Sequence, residues 1–96
     1  MLSVHLGEAL DLRPMADLTE QEMFALVALR TQESLTEEEL ADVTNMSRTQ
    51  IRGTVKHLVG SGVLKRTAEG VSVVVSMIPI IDITLRRRRF MHGAAQ

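Results

Sequence analysis

A predicted helix in the second half of the chain carries side chains that can bind nucleic acid. Arginine pairs with guanine and glutamine with adenine through two hydrogen bonds, and Arg48, Gln50 and Arg52 have the types to do so. Ser47 and Thr49, at the helix start, can bind phosphate together with the backbone amides. The full candidate set in this segment is Ser47, Arg48, Thr49, Gln50, Arg52, Gly53, Lys56 and His57.

The periodicity of this helix separates a core face from an exposed face. At 100° per residue, Ile51, Val55 and Leu58 share a narrow arc and are predicted to be buried. Gly53 lies at the centre of the opposite face, with Lys56 beside it. Because an exposed helical glycine costs about 1 kcal/mol relative to alanine, Gly53 indicates either a close backbone approach to DNA or a tolerated surface glycine. The predicted core partners are Leu26, Val27 and Leu40.

Charge is divided unevenly along the 96 residues. Residues 1–43 hold two basic and ten acidic side chains, a net charge of −8, whereas residues 44–96 hold nine basic and two acidic ones, a net charge of +7. Such asymmetry suggests a second half that binds polyanions and a first half that repels them. The alternative is an acidic first half that only increases solubility.

Three capping boxes, each a hydroxyl residue followed three positions later by Glu or Gln, predict three helix starts. The second helix is predicted to end near residue 43 and the third near residue 59, where Gly60-Ser61-Gly62 terminates it. Residues 23–29 of the first helix are apolar almost all round and are predicted to be buried on several sides. The boxes are Thr19 with Glu22, Thr36 with Glu39, and Ser47 with Gln50.

A hairpin is predicted after the third helix. Residues 63–66 form a short strand, residues 67–70 a turn with Gly70 at positive φ, and residues 71–75 a β-branched returning strand. Between the second and third helices, Asn45 suits a tight turn at positive φ. The order of three helices and a hairpin is that of an α+β, mostly α, winged helix-turn-helix domain.

The segment LTEEELADVTNMSRTQIRGTVKHLVGSGVLKR resembles the helix-turn-helix and wing entry of bacterial MarR-like regulators. The resemblance covers about residues 18–75, with Asn45 where glycine is usual and a shorter chain than MarR proteins have. It implies a DNA-binding transcriptional regulator, a homodimer, with helix 47–59 in the major groove. The wing, residues 63–75, would contact flanking DNA through Lys65 and Arg66. The alternatives are a replication or phage/plasmid accessory protein, and a protein-interaction winged helix that does not bind DNA.

Four consecutive arginines form a second basic cluster near the end of the chain. If Pro79 is the first helical residue, a helix could run to about residue 91. The cluster is then a DNA-contacting tail, an exposed face of a dimer helix, or a contact with acidic membrane. Alternatively, residues 78–83 are extended and pair with a partner chain. The arginines are Arg86, Arg87, Arg88 and Arg89.

The predicted organisation is an N-terminal arm at 1–17, the winged domain at 18–76 and an apolar, arginine-rich extension at 77–96. The arm includes a strand or a flexible segment at residues 2–6. The small core, the apolar first helix and an apolar run at 77–91 without an obvious core position favour dimerisation through these segments or the arm.

Several function classes are disfavoured by what the sequence lacks. Without cysteine, there is no disulfide or thiol nucleophile, and the histidines His5, His57 and His92 have no carboxylate or second histidine at ligand spacing. No serine lies in a nucleophile elbow, and no phosphate-binding glycine loop is present. We therefore expect no enzyme, no metal and no cofactor. No signal peptide or membrane helix is recognisable, so a cytoplasmic protein is expected, and the sequence identifies no small-molecule effector.

Overall fold

The fold is a winged helix-turn-helix with one further helix, as the sequence predicts. The computed structural model describes residue 15 and residues 17–88. Its helices are α1 (Glu20–Thr31), α2 (Glu37–Thr44), α3 (Arg48–Gly60) and α4 (Ile78–Arg87), with a 3₁₀ turn at Val75–Met77 before α4. The wing is the antiparallel pair β1 (Leu64–Thr67) and β2 (Gly70–Val73). The predicted features at residues 2–6, His5, Arg89 and His92 lie outside the described residues.

All three predicted capping boxes are present. In each, the hydroxyl oxygen accepts from the backbone N–H three residues on, and the Glu or Gln side chain accepts from the N-cap N–H, at 2.9–3.1 Å. Asn45 ends α2 in the left-handed region, with φ 60° and ψ 33°. The tight turn that fixes α3 relative to α2 is therefore encoded locally, by residues at and beside the helix ends.

The end of α3 directs the chain into the wing. Gly62 has φ 83°, its N–H donates to the Val59 carbonyl, and the Val63 N–H donates to the Leu58 carbonyl. These two bonds form the Schellman pattern, in which a left-handed residue after the helix satisfies its last carbonyls. The predicted helix stop at residues 60–62 is confirmed.

The wing is hydrogen-bonded to the loop between α1 and α2. Leu35 and Val71 exchange backbone hydrogen bonds of 3.1 and 2.7 Å, which form an isolated antiparallel bridge beside β2. At Gly70, with φ 136°, a Cβ atom would lie 2.4 Å from the Leu35 carbonyl oxygen. Only glycine fits there, since both its backbone conformation and this close approach exclude a side chain.

The predicted core face of α3 is confirmed. Ile51, Val55 and Leu58 are fully buried, as are Leu26 of α1 and Leu40 of α2. The remaining predicted partner, Val27, is partly buried against the same core. This burial orients α3 about its own axis and leaves its opposite face exposed.

The structure adds detail to these expectations and corrects some of them. Helix α1 buries Met23, Ala25, Leu26 and Leu29, whereas its Phe24 is 46% exposed. The returning strand ends at Val73, because Val75 begins the 3₁₀ turn. Residues 78–83 are helical rather than extended, and the apolar run has a core position: Ile80, Ile81 and Leu85 are buried.

Helix α4 is tied to α1 by a two-point ion pair. Arg30 Nε and Nη2 donate to the two carboxylate oxygens of Asp82 at 2.8 and 3.0 Å. The hydrogen bonds from Arg30 hold the pKa of the Asp82 carboxyl below its ordinary value, against the opposing effect of partial burial. Both side chains are less than a third exposed, so solvent screens this pair less than a surface pair.

Asp82→Asn should lower the free energy of unfolding by about 1–3 kcal/mol at neutral pH, because a charge-assisted pair is lost. Because the folded-state pKa is lowered, the contribution of Asp82 is fully present above the unfolded-state pKa and is lost as pH falls through the folded-state pKa. The difference between wild type and variant should therefore shrink below about pH 4. Urea unfolding as a function of pH measures it, with exposed Asp42→Asn as the matched control. A difference that persists unchanged at low pH would contradict the ion-pair interpretation.

Candidate nucleic-acid interface

The exposed face of α3 carries most of the candidate residues. Thr49, Arg52, Gly53 and Lys56 are all exposed, on the side opposite the buried stripe. Arg52 has 72% of its side chain accessible to solvent. The structure therefore places Arg52, Lys56, the hydroxyl of Thr49 and the exposed backbone of Gly53 on one side of the helix. A helix surface of this kind fits the major groove of DNA.

The first turn of α3 presents free backbone amides. The capping box satisfies the amides of Ser47 and Gln50, which leaves those of Arg48 and Thr49 without an intrahelical acceptor. An anion such as a phosphate can bind there. The amide oxygen of Gln50 accepts from the Ser47 N–H, so pairing of Gln50 with adenine through both its polar atoms would require the box to open.

Carboxylates of α2 lie against the arginines of this surface. Arg66 of the wing donates to Glu37 at 3.0 Å, and Arg52 Nε lies 4.0 Å from the other Glu37 oxygen. Arg48 Nη2 lies 3.0 Å from Glu38. These ion pairs could not be predicted from the sequence, because the partners lie on other elements.

The basic pair of the wing is divided between two faces. Residues 65 and 66 are consecutive on β1, so their side chains point to opposite sides of the ribbon. Arg66 reaches Glu37, beside α3, whereas Lys65 lines an open cavity of about 550 Å³ together with Arg30 and Ser72. Of the two predicted wing contacts, only Arg66 shares a carboxylate with α3.

His57 contacts a buried carboxylate that sequence spacing did not indicate. Its Nδ1 atom is hydrogen-bonded to Glu22 Oε2 of α1, and the other Glu22 oxygen accepts from the Thr19 N–H. The Glu22 side chain is 7% exposed, so it needs these partners. This contact joins α3 to α1. It occupies one of the two ring nitrogens of His57, which was predicted to contact DNA.

Gly53 has no internal packing role. An added Cβ atom would meet no atom within 4 Å, and the same holds for Gly60 at the end of α3. Both glycines line a shallow groove with Lys56, His57 and Ser61. Sterics within the protein therefore do not require glycine at position 53.

The second arginine cluster lies at the C-terminal end of α4, where Arg86, Arg87 and Arg88 are exposed. Cations at this position interact favourably with the helix dipole.

Residues 15 and 17–88 bring together no group of three histidine or carboxylate side chains that could hold a metal ion. Within the same residues, no helix is long and apolar enough to cross a membrane.

The fold defines the class of winged helix-turn-helix proteins. The model of the MarR family matches residues 18–69, more than half of the chain, and the chain belongs to this family. It is therefore related to DNA-binding transcriptional regulators and is not an enzyme.

Solved structures show the same fold. A probable transcriptional regulator from Pseudomonas aeruginosa superposes with a TM-score of 0.70 at 22% identity, covering 94% of this chain and 78% of that chain. BpsR of Bordetella bronchiseptica, whose DNA binding is regulated by 6-hydroxynicotinic acid, has a TM-score of 0.56 at 17% identity, with coverage of 90% and 71%. A comparison with curated protein sequences gives no significant match.

Gly53→Ala should stabilise the protein by about 1 kcal/mol and weaken its binding to DNA. The stabilisation follows from the open space around the site, and the loss follows if DNA approaches this backbone closely. Thermal unfolding and a DNA titration measure the two effects. Gly60→Ala is the matched control: it is also helical and open, but it lies at the far end of α3 and should leave affinity unchanged. A stabilised Gly53→Ala protein with wild-type affinity would show that this glycine is merely tolerated.

Proposed function

We propose that this chain binds double-stranded DNA sequence-specifically as a homodimeric transcriptional regulator, with α3 in the major groove and the wing on flanking DNA. The observation that carries the proposal is the exposed face of α3. Its polar and basic side chains lie opposite a fully buried apolar stripe, in a chain of the MarR family. Membership of the family supports DNA binding, and the face of α3 supports this particular geometry.

The residues of the surface divide into two roles. Arg48 and Arg52 are the base-reading side chains, since an arginine can donate two hydrogen bonds to guanine. Thr49 and Lys56 contact phosphates, which position the protein without reading sequence. Arg66 of the wing contacts the flanking backbone, supported by its place beside Arg52 across Glu37.

Arg52→Ala should weaken binding to the preferred site by about 1–3 kcal/mol and binding to random DNA by less, because base contacts depend on sequence. The preferred site is first obtained by unbiased selection of bound sequences, and both DNAs are then titrated at two salt concentrations. Lys56→Ala is the matched comparison. It should weaken both DNAs alike and flatten the logarithmic salt dependence by about 0.9 for one lost phosphate contact.

The same titrations test the other assignments. Replacing Arg86 and Arg87 by alanine should weaken both DNAs equally if the end of α4 contacts phosphate, whereas unchanged binding assigns this cluster to a partner chain. If Arg48→Ala, Arg52→Ala and Lys56→Ala all stay folded and bind DNA like wild type, α3 does not read DNA. A protein-interaction winged helix would then be the better assignment.

The homodimer is tested by assembly and by the selected DNA. Sedimentation at tens of micromolar should give twice the chain mass of 10.6 kDa. Two copies of α3 related by a two-fold axis should select inverted half-sites about 10–10.5 base pairs apart, centre to centre. A monomer in sedimentation together with a single, non-repeated site would refute the dimer while leaving DNA binding intact.

A further inference from the structure

The first turn of α2 contributes two carboxylates to the proposed DNA surface. Of its three acids, Glu39 belongs to the capping box and accepts from the Thr36 N–H. Glu37 and Glu38 take no part in that box, and both pair with arginines of other elements. The charge of these two residues therefore acts on the arginines of the proposed interface as well as on the dipole of α2.

Glu37 is the more constrained of the two acids. Its side chain is 31% exposed, compared with 71% for Glu38, and it is shared by two elements. One oxygen accepts a 3.0 Å hydrogen bond from Arg66 of the wing, and the other lies 4.0 Å from Arg52 of α3. A single carboxylate thus connects the base-reading helix to the wing.

The pairing involves arginines and not lysines. Among the residues that the structure describes, no carboxylate lies within ion-pair distance of Lys56 or Lys65. The lysine assigned to a phosphate contact is therefore available at once, whereas the arginines assigned to base and wing contacts must first leave a carboxylate.

We propose that Glu37 limits the affinity of the DNA site, an inference that rests on the proposed function. In the free protein its carboxylate accepts a hydrogen bond from Arg66 and lies at the outer limit of ion-pair distance from Arg52, and it repels phosphates that approach these arginines. Any DNA must separate these pairs before the two arginines can contact it, and the preferred site and random DNA bear the same cost. Glu37 therefore lowers the affinity for DNA of either kind.

Glu37→Gln tests this, with binding to the selected site and to random DNA measured at two salt concentrations. Since exposed ion pairs are weak, both DNAs should bind about 3- to 10-fold tighter. The ratio of the two affinities should stay close to that of the wild type, because both complexes separate the same pairs. The salt dependence should also steepen by about 0.9, because one more net positive charge faces the phosphates.

Glu20→Gln is the matched control. Glu20 occupies the same first position of α1 that Glu37 occupies in α2, is exposed, and has no arginine partner in the described part of the chain. The substitution changes net charge and helix-end charge identically but releases no arginine, so it should raise the affinity for DNA less than Glu37→Gln does. Thermal unfolding of both variants monitors the fold, and mere destabilisation would weaken binding, the opposite of the expected result.

A double-mutant cycle that combines Glu37→Gln with Arg66→Ala measures the contribution of the Glu37–Arg66 ion pair. When Arg66 is absent, Glu37→Gln should increase random-DNA binding by a smaller factor than in the wild-type background, because one of its two partners has been removed. Equal factors in the two backgrounds would mean that Glu37 acts without Arg66 and would overturn the bridging role.

Two results separate the failure of this inference from that of the proposed function. If wild type discriminates its preferred site but Glu37→Gln binds random DNA no more tightly and with the same salt dependence, the role of Glu37 is refuted and sequence-specific binding stands. If wild type binds no DNA, the proposed function falls and the role of Glu37 falls with it.

Discussion

The burial of one apolar stripe on α3 constrains the whole molecule. This stripe consists of the fully buried residues Ile51, Val55 and Leu58. The helix cannot rotate about its axis without exposing them to solvent. Fully burying side chains of this size is worth about 1.5–3 kcal/mol each, so a different rotation of the helix would be strongly disfavoured. That fixed orientation leaves the opposite face of α3 exposed to solvent, and this face carries Gly53 and the basic residues. The left-handed turn at Asn45 and the two caps of α3 then fix where the helix lies along its axis.

The uneven charge of the chain has a spatial meaning that its halves alone do not reveal. The acidic first half and the basic second half meet where α2 packs beside α3 and the wing, and there carboxylates and guanidinium groups pair. Neither interpretation of the asymmetry predicted these ion pairs. Among the described residues, Arg48, Arg52 and Arg66 lie near a carboxylate of α2, whereas no carboxylate lies within ion-pair distance of Lys56.

Local chemistry made much of the fold predictable. A capping box, a left-handed asparagine and a glycine after a helix each involve residues that are close together in the sequence. The helix ends that they form can therefore be predicted from the sequence. The contacts that could not be predicted join residues that are far apart in sequence. The separation is 29 residues for Glu37 and Arg66, 35 residues for Glu22 and His57, and 52 residues for Arg30 and Asp82. The apolar run at residues 78–83 is compatible with either a strand or a helix by composition. Its helical state and core position depend on the surface that α1 offers to it, including Arg30.

The bridge between Leu35 and Val71 also bears on the edges of the small sheet. A two-stranded ribbon ordinarily exposes the hydrogen-bonding groups of both outer edges, and each edge is a template for a strand of another molecule. Here Leu35 occupies the edge of β2 at Val71, and the lack of a side chain at Gly70 allows that close contact. The other edge belongs to β1, which carries Lys65 and Arg66, and charged side chains oppose intermolecular strand pairing. Each edge therefore carries a feature that makes pairing with a strand of another molecule less favourable.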